Sequence, residues 1–144
     1  MLDHIKVKRL HPQAHLPERA SPGASGFDLH ACLPGGPLTL CASPVLVPTG
    51  IAIEAPTGLD VQVRPRSGLS LRGVMAAFGT IDSDYRGEIL VTLYLLPGTA
   101  SYAVHHGDRI AQLVLGHLAG VQLVEVEELA ETSRGEDGHG STGR

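Results

Sequence analysis

Ten prolines spread through the first two thirds of the chain constrain its fold more than any other feature. They stand at positions 12, 17, 22, 34, 37, 44, 48, 56, 65 and 97 of 144 residues. Proline lacks an amide hydrogen and disfavours the helical conformation in the residue before it, so a helix of ordinary length has little room before position 98. Eighteen glycines add many turn-forming positions. The sequence therefore predicts short strands joined by turns.

Seven segments have the composition or the alternation of β-strands. The period of two is clearest at residues 60–64. The longer apolar runs 88–96 and 109–115 predict strands that are covered on both faces and form a core. Segments 5–8, 45–47, 50–54 and 121–127 complete the set, the first three as half-buried antiparallel strands. We expect one all-β domain over residues 1–132, a jelly-roll-like sandwich or barrel, followed by a flexible glycine-rich arm over 133–144.

Charge and cysteine content exclude several kinds of protein. The formal net charge of −4 argues against binding to nucleic-acid phosphates through a basic surface. Cys32 and Cys41 form no CxxC pair, so neither a zinc site nor a disulfide framework is indicated. The first ten residues lack the apolar core of a signal peptide, and no apolar run approaches the roughly 20 residues that span a bilayer. We therefore expect a cytoplasmic protein that binds neither nucleic acid nor membrane.

A very short helix is predicted at residues 67–73, immediately after a predicted strand. Ser67 is expected to cap its start and Gly73 to end it. The free amides at this start, together with Arg66, would suit a phosphate group. A capped helix beside a surface arginine explains the same residues, so this segment alone leaves both interpretations open.

The segment 79–88, GTIDSDYRGE, concentrates side chains that can carry chemistry in a predicted hairpin. A spacing of two along a strand would place Asp82 and Asp84 on one face, as a two-carboxylate mechanism or a metal site requires. An acidic turn is the plainer alternative.

Other parts of the chain give weaker indications. The histidines have no metal-ligand spacing, and the adjacent pair His105 and His106 is expected at the surface. The motifs of a P-loop and of a nucleophile elbow are missing from the sequence. The tail 134–143 joins a cation, hydroxyls and glycines whose amides could bind an anion, although a disordered terminus has the same composition.

Taken in order, five segments resemble the motifs of the trimeric dUTPase family. They are ASGFDL at 24–29, PRSGL at 65–69, GTIDSDYRG at 79–87, GDRIAQL at 107–113 and the tail 134–143. The resemblance covers essentially the whole chain. It implies a Mg²⁺-dependent homotrimer that hydrolyses dUTP to dUMP and diphosphate, which keeps uracil out of DNA and supplies dUMP for dTMP synthesis. It also implies active sites at subunit interfaces, each closed by the tail of a neighbour.

The resemblance further implies a role for each matching residue. Asp82 would be the general base that takes a proton from the attacking water, and Asp84 a bystander. Tyr85 would pack under the deoxyribose and exclude a 2′-hydroxyl. Asp28 would reach the metal ion through water. The phosphate contacts would be Arg66, Ser67, Gly68 and Gln112, and the remaining substrate contacts before the tail Ala76, Thr80, Ile81 and Leu90.

Uracil selection and the tail carry the departures from the family pattern. The backbone of a hairpin over about 76–90 would select uracil, with Ala76 standing where many bacterial relatives have asparagine. In the tail, Arg134 would close on the γ-phosphate, while Gly140 and Ser141 would also contact substrate. His139 replaces the phenylalanine that usually stacks on uracil, and its imidazole ring would stack there with less area.

Two other functions remain as alternatives. One is the related dCTP deaminase, against which the third and fifth motifs argue. The other is a catalytically silent nucleotide-binding trimer, since a fold does not fix a function.

Overall fold

The computed structural model describes residues 4–140 and 142–143, and within them the chain is almost entirely β-structure. One five-residue helix, α1, interrupts eleven strands in the described part. The strands are β1 Lys6–Arg9, β2 Gly26–His30, β3 Leu38–Leu40, β4 Val45–Pro48, β5 Ile51–Glu54, β6 Leu59–Arg64, β7 Val74–Ala76, β8 Gly79–Ile81, β9 Leu90–Leu95, β10 Tyr102–Val104 and β11 Arg109–His117; α1 is Ser67–Leu71.

The strands form four antiparallel sheets. The largest has the order β2-β11-β6-β8, and a three-stranded sheet has the order β4-β9-β7. Two further pairs, β1-β5 and β3-β10, complete the described sheets. The prediction of an all-β, jelly-roll-like sandwich with one very short helix is confirmed.

A single apolar core joins these sheets. Val61 and Leu113 enter it from the four-stranded sheet, and Val91 and Leu93 enter it from the three-stranded sheet. Burying side chains of this size stabilises the fold by roughly 1.5–3 kcal/mol each. The predicted core role of 88–96 and 109–115 is therefore confirmed. Their burial on both faces is not complete, because alternate residues such as Thr92 remain partly exposed.

Residues 121–127, predicted as a strand, form none. All seven are exposed, and Leu123 has a relative accessibility of 101%. The alternation of apolar and polar residues fits a strand, but a strand needs an edge with which to pair, and this segment has no such partner among the described residues. The prediction for 5–8 was also partly wrong. β1 is antiparallel as expected, paired with β5, but all four of its residues are exposed.

The predicted hairpin over 76–90 is confirmed at its base, where β7 and β9 pair antiparallel with Ala76 opposite Leu93, but β8 between them joins the other sheet. β8 pairs with β6, whereas β9 pairs with β4 and β7. Residues 82–89 are consequently a loop that leads from β8 to β9. Asp82 and Asp84 follow the end of β8, so the reasoning that placed them on one face of a strand does not apply.

The short helix differs from its prediction at one end. Ser67 is its first helical residue and Arg66 is the N-cap, without a side-chain capping hydrogen bond. The expected cap by Ser67 was therefore wrong. At the other end the helix stops as predicted, because Gly73 adopts a left-handed φ of 78° just after the C-cap Arg72. No helix among the described residues is long and apolar enough to cross a membrane.

Candidate active site

A carboxylate held between two guanidinium groups lies on the four-stranded sheet. Asp28 is on β2, and its side chain is only 14% exposed. Arg66, which follows β6, places Nε 3.3 Å from Oδ1 of Asp28. Arg109 on β11 places Nη1 3.4 Å from Oδ2. We call these three residues the Asp28 cluster. Two positive charges surround one negative charge, so the cluster carries a net positive charge suited to an anion.

Backbone contacts hold the same cluster in place. Nη1 of Arg66 donates a hydrogen bond of 3.1 Å to the carbonyl of Arg109. Gln112 lies opposite Asp28 in the ladder between β11 and β2, and its Nε2 donates to the carbonyl of Pro65 at 3.0 Å. Gly26 lies against Gln112 so closely that a Cβ at position 26 would overlap the glutamine side chain. Three of the five sequence motifs thus meet at this place.

Ser67 and Gly68 lie beside the cluster at the start of α1, and both are exposed. Their amides belong to the first turn of the helix and so have no partner within it. The strand-to-helix junction therefore presents free donors next to the guanidinium of Arg66.

A cavity of about 210 Å³ lies at the loop between β8 and β9. The predicted site residues among its lining are Thr80, Ile81, Asp82, Tyr85 and Leu90. Asp82 is exposed to solvent, and its carbonyl accepts a hydrogen bond of 3.0 Å from the amide of Tyr85. The third sequence motif is thereby gathered around one concave surface, with a carboxylate at its rim. Ala76 is buried in β7 and is not among the lining residues.

The phenol of Tyr85 is fixed across its own loop. Its hydroxyl donates to the carbonyl of Glu88 at 2.9 Å, and its ring lies over Gly87, where a Cβ would overlap it. A tyrosine that is nearly half exposed is in this way held in one orientation at the cavity. A fixed aromatic face can pack against a sugar.

The far end of this loop is tied to the chain between β4 and β5. Thr49 is fully buried, and its hydroxyl donates to the carbonyl of Ile89 at 2.6 Å. The amide of Gly50 donates to Oε1 of Glu88 at 2.8 Å. Sequence reasoning missed this anchor, because a lone threonine between two strands has no signature of its own.

The described part of the tail stands apart from both groups. Nε of Arg134 donates to the carbonyl of Asp137 at 2.7 Å, and His139 has a left-handed φ of 48°. Gly140 follows in an exposed turn, and Ser141 lies outside the described residues. In the described ranges, no side-chain hydrogen bond or ion pair links this tail, the Asp28 cluster and the Asp82 cavity to one another.

Three histidine rings form a separate group beside the Asp28 cluster. The ring centroids of His15 and His30 are 5.0 Å apart, and those of His15 and His106 are 5.6 Å apart. Burial, followed by the nearby His15, lowers the pKa of His30 below 6.5. Nδ1 of His30 is buried without a hydrogen-bond partner in the described structure. His105 and His106 are both exposed, which confirms their predicted surface position.

The family resemblance implies a Mg²⁺ ion, and the side chains near Asp28 decide how such an ion would be held. Among the described residues, no group of three or more His, Cys, Asp or Glu side chains could hold a metal ion. Asp28 is the carboxylate that pairs with both arginines of its cluster, and both of its oxygens face guanidinium groups. This arrangement fits an ion held mainly by substrate phosphates, with Asp28 reaching it through water, since Mg²⁺ keeps several of its waters in such sites.

Comparison with known proteins identifies the family. The sequence model of the dUTPase family matches residues 12–143. The deoxyuridine 5'-triphosphate nucleotidohydrolase of Treponema pallidum is 50% identical over 144 residues, covering 96% of this chain and 98% of its own. That of Syntrophotalea carbinolica is 49% identical and covers 96% of both chains. The chain belongs to the dUTPase family.

Solved structures agree with this assignment. The dUTPase of Staphylococcus bacteriophage 80alpha, determined with dUpNHpp, superposes with a TM-score of 0.86 at 26% identity and covers 99% of each chain. A variant dUTPase of phage phi11 of Staphylococcus aureus, which coordinates a structural Mg(II) ion, has a TM-score of 0.77. At 22% identity, over 88% of this chain and 98% of that one, it supports the fold alone.

Proposed function

We propose that Asp82 is the general base in the hydrolysis of dUTP. As a member of the dUTPase family, the chain is a dUTP diphosphatase that releases dUMP and diphosphate. The observation that carries the assignment to Asp82 is its position at the rim of a cavity shared with Thr80, Ile81, Tyr85 and Leu90. A carboxylate that is open to solvent beside a nucleoside-sized surface can accept a proton from a bound water.

The triphosphate is proposed to bind at the Asp28 cluster. Arg66, with the exposed amides of Ser67 and Gly68, offers charge-assisted hydrogen bonds to phosphoryl oxygens. Gln112 presents its amide beside them. The net positive charge of the cluster supports this assignment in a chain whose total charge is negative.

The nucleoside is proposed to bind at the Asp82 cavity. Tyr85 would lie under the deoxyribose, where its fixed ring leaves no room for a 2′-hydroxyl. The backbone near Thr80, Ile81 and Leu90 would read the edge of uracil. The buried side chain of Ala76 leaves only its backbone for a contact with the base.

Each complete site is proposed to be built from several chains of a homotrimer. Among the described residues no hydrogen bond or ion pair joins the Asp28 cluster to the residues of the Asp82 cavity, which supports an arrangement in which the two parts meet across an interface. Val121, Leu123 and Val126 support it as well, because they are large apolar side chains, closely spaced in the chain, that stay exposed in the single chain. The arm over 133–144 is proposed to close over a neighbour's site, with Arg134 on the γ-phosphate and His139 against uracil. Gly140 and Ser141 would contact substrate beside them.

The proposed reaction needs little from the protein beyond positioning and one proton transfer. A water oxygen forms a bond to the α-phosphorus, while Asp82 takes one of its protons. The bond from this phosphorus to the bridging oxygen breaks, and diphosphate leaves. Arg66 offsets the negative charge that shifts onto phosphoryl oxygens. Mg²⁺, held by the phosphates with Asp28 reaching it through water, would offset charge on the triphosphate.

Asp82→Asn tests the assignment, and Asp84→Asn is the matched control two residues away on the same loop. Asparagine keeps the shape of the side chain but is a poor proton acceptor. We expect Asp82→Asn to lose nearly all turnover while binding dUpNHpp with unchanged affinity, and Asp84→Asn to keep its kcat within about threefold of the parent, since surface changes away from a reacting centre have small effects. Turnover by Asp82→Asn close to that of Asp84→Asn would contradict the proposal.

Substrate range separates this function from its alternatives. Diphosphate release should be measured with dUTP, dCTP, dTTP and UTP, each with Mg²⁺ and with EDTA. Release from dUTP alone, lost on chelation, is the expected result. Ammonia from dCTP would indicate a deaminase, and no product from any nucleotide would indicate a silent binding protein.

A further inference from the structure

Arg109, the partner of Asp28 on β11, adds charge to the Asp28 cluster but makes no contact with substrate in the function proposed above. Arg109 is half exposed, and its Nη1 lies 3.4 Å from Oδ2 of Asp28. Its backbone carbonyl accepts the hydrogen bond from Nη1 of Arg66 at 3.1 Å. Arg109 therefore contacts the phosphate-binding arginine through its backbone, and the carboxylate beside that arginine through its side chain.

The charges explain why two arginines are needed here. Asp28 and Arg66 alone would form a neutral pair, in which the carboxylate offsets much of the attraction between Arg66 and a phosphate. At 14% exposure, Asp28 is poorly screened by water, so this effect would be strong. Arg109 adds a second positive charge on the other carboxylate oxygen and leaves the cluster with a surplus of one.

The hydrogen bonds of Arg66 also fix the orientation of its guanidinium group. Nε of Arg66 faces Asp28 and its Nη1 faces the Arg109 carbonyl. Neither contact occupies Nη2, and the described residues place no hydrogen-bond partner on it, so it is available for a ligand oxygen. We propose that Arg109 is a positioning residue that neutralises Asp28, so that Arg66 presents its charge and its free Nη2 to the triphosphate. This inference rests on the phosphate-binding role proposed for Arg66.

Binding of dUpNHpp in EDTA is the direct test, because it separates this effect from Mg²⁺ and from turnover. Arg109→Met removes the charge and keeps most of the side-chain length, and it should weaken binding about 10- to 100-fold, the range for losing one charge-assisted interaction. Arg109→Lys restores the charge and should recover most of the loss. Arg72→Met is the control, since Arg72 lies over the ring of Tyr102 and is not among the ion-pair partners found for Asp28 in the described residues.

A second substitution tests the role in charge balance itself. Asp28→Asn removes the charge that Arg109 is proposed to neutralise. If the inference is right, Asp28→Asn added to Arg109→Met should regain at least half of the lost affinity on a logarithmic scale, because Arg66 alone again gives a surplus of one. If the role of Arg109 were merely structural, the double variant would bind dUpNHpp more weakly than either single variant. In turnover assays, Arg109→Met should raise the KM for dUTP and leave kcat within about threefold.

The possible failures can be told apart with Arg66→Met. If Arg66→Met does not weaken dUpNHpp binding, the proposed phosphate site is wrong and the inference falls with it. If Arg66→Met weakens binding but Arg109→Met does not, only the inference is overturned. It is also overturned if Arg109→Lys binds no better than Arg109→Met. Unchanged melting temperatures of the variants establish that the comparison concerns folded protein.

Discussion

Replacing Thr49 by valine tests how the loop that carries Asp82 is held. The threonine hydroxyl donates to the Ile89 carbonyl at 2.6 Å, and both residues are fully buried. Valine has nearly the same shape but no donor, so the carbonyl loses its partner inside the protein. An unsatisfied buried acceptor costs about 1–3 kcal/mol. Since about 1 kcal/mol lowers the Tm of a chain of this size by roughly 4 °C, we expect a fall of about 4–12 °C.

Thermal unfolding followed by circular dichroism measures this effect, at one fixed protomer concentration because assembly alters the apparent Tm. Thr39→Val is the matched control, since Thr39 is exposed on β3. Its Tm should change by no more than about 2 °C, as is usual for a surface substitution. Equal shifts in the two variants would refute the reasoning that the buried hydroxyl anchors this loop.

Three further predictions follow from close contacts and from burial. In Gly26→Ala the new methyl group displaces Gln112, so the KM for dUTP should rise by about tenfold, which corresponds to the loss of one hydrogen bond with some strain. An unchanged KM would show that Gln112 does not contact the phosphates. In Gly87→Ala the methyl group displaces Tyr85, so steady-state kinetics with dUTP and UTP should show weaker discrimination against UTP; an unchanged ratio would contradict the sugar role of the phenol. Because the pKa of His30 is lowered from 6.5, its neutral form stabilises the fold above pH 6.5, and this stability is lost as pH falls through the lowered pKa. Urea unfolding between pH 7.5 and 5 should therefore show a smaller loss of unfolding free energy in His30→Gln than in the parent. Equal losses would show that His30 does not cause the loss of stability in acid.

The sequence predicted the strands that carry their own periodicity. Residues 60–64 alternate because one face of β6 enters the core and the other does not, and the structure extends this strand by only one residue. The apolar runs at 88–96 and 109–115 supplied buried side chains such as Leu93 and Ile110. These elements could be predicted from the sequence because their burial depends on side chains that follow one another in the chain.

Short strands and long-range contacts could not be predicted in this way. β3, β7 and β10 have three residues each, too few to show a period. The pairing of β8 with β6, rather than with the strand that follows it, depends on the arrangement of sheets and not on local sequence. The Asp28 cluster has the same origin, since Arg66 and Arg109 are separated by 43 positions and meet only because β6 and β11 are neighbours.

Segment 121–127 is the element whose sequence pattern and structure in the single chain differ most. Its alternation predicted a strand, and the structure leaves it as an exposed connection before the tail. The two findings agree if this segment pairs with the edge strand of another subunit. Alternating apolar and polar residues bury one face of a strand only when the strand packs against a partner. The same segment leads to Arg134, so a strand paired on a neighbour would also deliver the arm to that neighbour's site. Assembly and closure of the active site would then depend on one stretch of sequence.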